Sequence, residues 1–275
     1  MSEKVFLVTG GTSGIGRSTA VELARRGGIV VITARDEAKG QEAQKAIQEE
    51  AKNGKVELLV LDLSSQASIK KAASDFHKRF KRLDVLINNA GVSLFTRQFN
   101  AEGYEANFAT NYLGPFVLTQ LLLETLKKSA PSRIINVASA AMSKPDLADL
   151  MNERNFVPMT VYAQTKAENI LFTYSLARRL EGTGVTVNCL HPGVVRTNLA
   201  RDARGLFKVL FAVAGRFFVT PVQGAETSVY LATSDEVATT TGQYFVKKTP
   251  ARSELFTYDE ALQKGLWEAT EKLIR

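Results

Sequence analysis

The stretch "TGGTSGIG", Thr9–Gly16, decides how the rest of the chain is read. It follows an apolar run, "KVFLV" (4–8), and precedes a helical-looking stretch, "RSTAVELARRG" (17–27). A glycine-rich link between a strand and a helix either turns the chain tightly or lets a ligand approach a helix start. Gly10 suits a sharp turn, while Gly14 and Gly16 lack the Cβ that would keep backbone or ligand away. A helix N-terminus presents unpaired N–H groups and a partial positive charge, which suits a pyrophosphate. Thr12, Ser13 and Ile15 share this loop and are candidate contacts with the glycines.

The pattern downstream favours the ligand reading. Short Val/Ile/Leu-rich runs alternate with longer amphipathic stretches. The candidate strands are 4–9, 29–33, 56–62, 84–90, 133–139, 185–191 and 242–247. None shows strict apolar–polar alternation, as expected for strands buried on both faces of a parallel sheet. Between them, Ile69, Ala72, Ala73, Phe76 and Phe80 fall on one face of a helix over 65–80, with Ser64 or Ser65 to cap it. Strand–helix alternation predicts an α/β fold: a Rossmann-like, doubly wound parallel sheet of about seven strands, with helices on both faces. No linker divides the chain, so residues 1–275 read as a single domain. A more irregular segment lies at about 193–220 and a closing helix at about 258–274.

In such sheets ligands bind beyond the carboxyl ends of the strands. The polar and glycine residues of this chain gather there. Strand two leads to Arg35, strand three to Asp62 and Leu63, and strand four to "NNAG" (88–91). Strand five leads to Ser139 and strand six to "HPGVVRT" (191–197).

Composition sets the outer limits. Of 275 residues, 45% are apolar and 23% charged, typical of a globular protein with a real core. The single cysteine, Cys189, lies in an apolar run and reads as a core residue. With two histidines (His77 and His191) it excludes a disulfide framework and argues against a metal site. No apolar run reaches the ~18 residues of a membrane helix. The start, "MSEKVFLVTG", does not read as a signal peptide, so a cytoplasmic setting is expected. The formal charge of +7 comes without a dense basic run interleaved with aromatics, which argues against nucleic-acid binding.

The spacing Gly10, Gly14, Gly16 resembles that of the short-chain dehydrogenase/reductase family, and so do further motifs in order. "NNAG" matches the family's fourth-strand motif. Asn111 in "NYLG", Ser139, and Tyr162 with Lys166 in "YAQTK" match its catalytic set. Pro192 and Gly193, with Val195 and Thr197, match its later cofactor segment. Within the family the chain is most similar to the retinol dehydrogenase-like reductases.

The resemblance implies hydride transfer between a nicotinamide dinucleotide and a carbonyl or alcohol. Asn89, Ala90 and Gly91 would lie along the cofactor, and Asp62 and Leu63 beside its adenine. Lys166 would hold the nicotinamide ribose. Asn111 would bend its helix and hold a water linked to Lys166. A homo-oligomer is also implied.

Two readings come from the residues themselves. A carboxylate ending strand two would favour NAD(H); here Ala34 ends it and Arg35 follows, with Lys39 and Arg17 as further cations. This favours NADP(H), although Asp36 would bring a carboxylate to the ribose if the strand ended later. Tyr162 and Lys166, four apart, share a helix face. A free phenol has a pKa near 10, and a neighbouring ammonium would lower it, making Tyr162 a usable general acid/base. Ser139 would stabilise charge on the substrate oxygen.

The apolar segment 205–219, with Leu206, Phe207, Leu210 and Phe211, reads as a substrate lid, a dimer surface or a peripheral membrane contact. Phe95, Met142 and Phe156 either line the pocket or pack in the core. The expected substrate is a small lipophilic carbonyl or alcohol. The rival to an enzyme is a nucleotide-binding or membrane-associated interaction protein on the same fold.

Overall fold

A computed structural model describes residues 4–194 and 219–274. Its first strand, β1 (Val5–Val8), shows why the strand patterns lack alternation. All four side chains are buried. Val5 and Leu7 join one core, Phe6 and Val8 the other. Side chains on a strand point to opposite faces in turn, so a strand covered on both sides must be apolar throughout.

Beside β1 lie β2 (Ile29–Ala34) and then β3 (Lys55–Val60) on one flank. β4 (Val85–Asn88), β5 (Ser132–Val137), β6 (Val185–His191) and β7 (Gln243–Val246) follow on the other. These strands are all parallel. An eighth, β8 (Thr249–Ala251), pairs antiparallel with β7 and closes the edge. The sequence reading of about seven strands missed it. Its hairpin turns through Lys247 and Lys248, which adopt positive φ without the usual Gly or Asn. Pro250 at its centre is tolerated because the strand is an edge.

The sheet is sandwiched as expected. Helices α1 (Gly14–Arg25), α2 (Glu37–Ala51) and α7 (Pro221–Thr233) cover one face. On the other lie α3 (Gln66–Arg79), α5 (Gly114–Lys128), α6 (Pro158–Arg179) and α8 (Glu260–Leu273). A short α4 (Ala106–Phe108) enters α5 through a π-helical turn, Ala109–Leu113. Phe116, Phe172 and Trp267 lock α5, α6 and α8 together, with ring centroids 4.9–5.8 Å apart. In α3, Ile69, Ala72, Ala73 and Phe76 are buried, and Ser65 is the cap, accepting from the Ser68 N–H. Cys189 is fully buried, and burial pushes its thiol up to about 12. Among the described residues, no helix is long and apolar enough to cross a membrane.

Chain order reverses between β1 and β4, so the loops leaving these two strands diverge from one crevice. Most strands end earlier than their apolar runs suggest. Asp62, Asn89–Gly91 and Ser139 therefore stand in loops just past the strand ends.

Candidate active site

At the crevice the glycine loop is partly a packing device. Gly10 and Gly14 adopt positive φ (66° and 55°). A Cβ on Gly16 would lie 2.3 Å from the Gly10 carbonyl oxygen and 2.4 Å from Asn89 Nδ2. Gly16 thus lets α1 sit against β1 and β4. Thr9 joins the two strand ends: its Oγ1 accepts from the N–H groups of Asn89 (2.9 Å) and Ala90 (3.0 Å). The Asn89 amide donates back to the Thr9 carbonyl at 2.8 Å. The Asn89 side chain is therefore engaged inside the fold, leaving backbone to line the crevice.

The start of α1, like that of α6, lacks the side-chain cap that four other long helices have. Asp36, Ser65, Thr220 and Asp259 cap α2, α3, α7 and α8 with their side chains. Ser13 is exposed and makes no such bond. Among the described residues no side chain accepts from the first-turn N–H groups of α1, and Thr12, Gly14 and Ile15 beside them are half-exposed. That is a fit for an anion such as a pyrophosphate.

Past β2, Arg35 and Lys39 are exposed, and neither side chain has an ion-pair or hydrogen-bond partner among the described residues. Asp36 is engaged as the α2 cap, its Oδ1 accepting from the Lys39 N–H at 3.0 Å. Arg17, expected as a third free cation, is tied to Glu50 at 2.8 Å. Asp62 Oδ1 holds a local turn through Ser64 N–H and Oγ–H (2.9 and 2.7 Å), with Leu63 buried beside it.

Past β5, Ser139 Oγ accepts from the Ala141 N–H at 3.1 Å, and the Ser139 side chain is hydrogen-bonded to the Tyr162 phenol. The adjoining Ala140 N–H donates to His191 Nδ1 at 3.1 Å, so the end of β6 helps hold the serine loop. Lys166 is buried on α6, with Nζ 5.7 Å from the Tyr162 ring centroid and donating to the Val137 carbonyl at 3.0 Å. An ammonium carries three N–H bonds, so this one acceptor leaves two for a ligand. Beyond Nζ lies Gly91, where a Cβ would come within 3.3 Å of both Nζ and Asn111 Oδ1.

The charges at this pair depart from the sequence expectation. Burial raises the Tyr162 phenol; the Ser139 bond opposes this, and Lys166 does not bring it down. Burial instead lowers Lys166 to about 8. The ammonium is engaged by the Val137 carbonyl and is itself desolvated, so it is a weak partner for a phenolate.

Asn111 sits in the π-turn, which releases main-chain groups from the α-helical ladder. Its side chain holds the loop after Gly91, accepting from Val92 N–H (2.7 Å) and donating to Val92 O (2.8 Å) and Thr165 Oγ1 (3.0 Å). Its carbonyl accepts from Asn169 Nδ2 at 2.8 Å. Asn88 is structural, tying β4 to β5 through Asn136 at 2.8 Å.

Pro192 and Gly193 follow β6, and Gly193 has φ 89°. Val195, Thr197 and the lid residues Leu206, Phe207, Leu210 and Phe211 lie outside the described residues. Met142, Phe95 and Phe156 are all half-buried, and Met142 packs against the core cluster of Ala138, Ile170 and Tyr244. Sequence reasoning assigned no role to Thr9, Thr165 and Asn169, and placed His191 only as the first residue of the segment after strand six. It also missed Glu105 and Asn107, which precede Asn111 on its own helix. Thr9 and His191 end apolar runs, and that was the available signal; Thr165, Asn169, Glu105 and Asn107 stand among other polar residues, and nothing local singles them out.

A sequence model of short chain dehydrogenases matches residues 4–205, a span that holds every described residue of this site. The chain belongs to the short-chain dehydrogenase family. It is thus an oxidoreductase-family member of the kind that uses a nicotinamide cofactor. Retinol dehydrogenase 14 of Homo sapiens is 42% identical over 292 residues, covering 100% of this chain and 87% of that protein. Retinol dehydrogenase 12 of Mus musculus is 42% identical over 244 residues, covering 88% and 77%. Among solved structures, an uncharacterized protein from Mycobacterium Paratuberculosis superposes with a TM-score of 0.80 at 31% identity, over 98% of this chain and 92% of that one. The Pseudomonas aeruginosa RhlG/NADP active-site complex gives 0.72 at 28%, over 88% and 93%. The retinol dehydrogenase-like subgroup is therefore the right place for this short-chain dehydrogenase.

Proposed function

We propose that the protein is an NADP(H)-dependent oxidoreductase acting on a lipophilic carbonyl or alcohol, with Tyr162 as general acid/base. The observation that carries this reading is the meeting of Tyr162, Ser139 and Lys166 at the carboxyl ends of the strands, beside an uncapped helix start. Once bound, the nicotinamide supplies or accepts the hydride. The α1 N-terminus suits its pyrophosphate, and the two remaining N–H bonds of Lys166 suit ribose hydroxyls. Arg35 and Lys39 suit a 2′-phosphate, because neither side chain has an ion-pair partner among the described residues and the Asp36 carboxylate is engaged as the α2 cap.

In the reducing direction Tyr162 Oη gives its proton to the carbonyl oxygen, while the Ser139 hydroxyl donates a hydrogen bond to the same oxygen. The raised phenol suits this direction, because the proton to be delivered is present at neutral pH. Oxidation needs the phenolate, and a cationic nicotinamide beside Tyr162 would favour it. The apolar character of 205–219 and the similarity to retinol dehydrogenases support a lipophilic substrate.

The test is cofactor oxidation by the purified protein with all-trans-retinal and with aliphatic, aromatic and steroid carbonyls, using NADPH and then NADH. Turnover of a lipophilic carbonyl, faster with NADPH at limiting cofactor, is expected. NADPH binding with no turnover on any of them overturns the enzyme reading.

A further inference from the structure

The chain leaving β4 passes from Gly91 through Val92, Ser93, Leu94 and Phe95 without regular secondary structure. It begins beside Lys166 and Asn111. Such a strip needs partners for its main-chain groups, and here two asparagines supply them. Asn111 takes both Val92 groups. Asn107 Oδ1 accepts from the Leu94 N–H at 2.8 Å.

Asn107 itself has no freedom to turn. Its Nδ2 donates to Glu105 Oε1 at 2.8 Å, and Glu105 Oε2 accepts from the Phe108 N–H at 2.8 Å as the α4 cap. A carboxylate only accepts, so the NH2 of Asn107 must face Glu105 and its oxygen must face Leu94. Both side chains are fully buried. A capping glutamate alone would fix the start of α4. Here the same carboxylate also sets the direction of an amide that reaches out to the loop beside Lys166.

We propose that Asn107, oriented by Glu105, is a positioning residue that holds strip 92–95 as the substrate-side wall next to Tyr162 and Lys166. The inference rests on the oxidoreductase reading and deepens it. Asn107 acts through the loop, so the substrate should be affected while the dinucleotide is not.

Hydrogen-bond polarity supplies the test. Asn107→Asp sets two carboxylates against each other, and Glu105→Gln sets two amides face to face. The double variant Glu105→Gln/Asn107→Asp restores the chain in reverse. The introduced amide accepts from the Phe108 N–H and donates to the introduced carboxylate, which still accepts from the Leu94 N–H, and the net charge is unchanged. For each single variant the KM for all-trans-retinal should rise about tenfold, and all-trans-retinol affinity, read by its fluorescence, should fall alongside, with NADPH affinity within about twofold. The double variant should recover most of both losses. Single variants that lose thermal stability but bind retinol as the wild type does overturn the inference, as does a double variant no better than the singles. Failure of the oxidoreductase reading looks different: the wild type then turns over none of the carbonyls.

Discussion

Asn169 donates its side-chain amide to the main-chain carbonyl of Asn111 at 2.8 Å. The same Nδ2 reaches the Thr165 carbonyl at 3.0 Å. From Asn169 a buried chain of bonds runs back into the sheet: Thr173 Oγ1 donates to the Asn169 carbonyl, Asn136 Nδ2 to Thr173 Oγ1, and Asn88 Nδ2 to Asn136 Oδ1. The π-turn carrying Asn111 is thereby anchored to β4 and β5 through α6. Buried polar chains of this kind hold one geometry because every alternative leaves a group unpaired.

Asn169→Leu keeps the volume and removes the donor. It should lower unfolding free energy by about 1–3 kcal/mol in urea titrations, the cost of leaving a buried acceptor unmet. It should also lower kcat more than it weakens NADPH binding, because the loosened residue is Asn111. A variant with wild-type stability would show that water satisfies the Asn111 carbonyl equally well.

Tyr162→Phe removes one oxygen from a half-buried ring already packed on α6. A drop in kcat of at least about 100-fold is expected for loss of a positioned proton donor. NADPH affinity, measured by fluorescence titration, should stay near that of the wild type. Residual turnover close to wild type would move the proton-donor role to Ser139 or water.

Arg35→Asp places a carboxylate where a guanidinium without a partner among the described residues now stands. NADPH affinity should fall at least about tenfold, while NADH affinity changes little or rises. Equal losses for both cofactors would separate Arg35 from the 2′-phosphate. Arg17→Ala should have the smaller effect on this ratio, since its guanidinium is held by Glu50, which also pairs with Arg25.

What the sequence made legible follows physical range. β1 was readable because two covered faces demand four consecutive apolar residues. The crevice was readable because its polar residues recur at the ends of such runs. β8 was not, since its turn uses lysines where Gly or Asn is the usual signal. The π-turn at Ala109–Leu113 was not, because its extra residue is stabilised by Asn169, remote in sequence. That the Tyr162 phenol is raised was not legible for a related reason. Helical spacing gives proximity to Lys166, but burial sets the direction in which each group shifts.

Glu168 offers a prediction on stability alone. It is almost fully buried on α6, and its Oε2 has no hydrogen-bond partner among the described residues. Burial, with the Glu105 carboxylate adding to it, pushes the group up to about 8 from an ordinary value of 4.5. Between these two values the folded protein keeps a proton that the unfolded chain has released. Its contribution to stability is therefore complete below pH 4.5 and is lost as pH rises through about 8. The loss amounts to several kcal/mol at the alkaline end, by linkage. Glu168→Gln carries a neutral side chain at every pH. Its Tm should lie close to that of the wild type near the acid end of this window and rise progressively above it towards the alkaline end. Parallel Tm curves would mean that the Glu168 carboxyl titrates in the folded protein as it does in the unfolded chain.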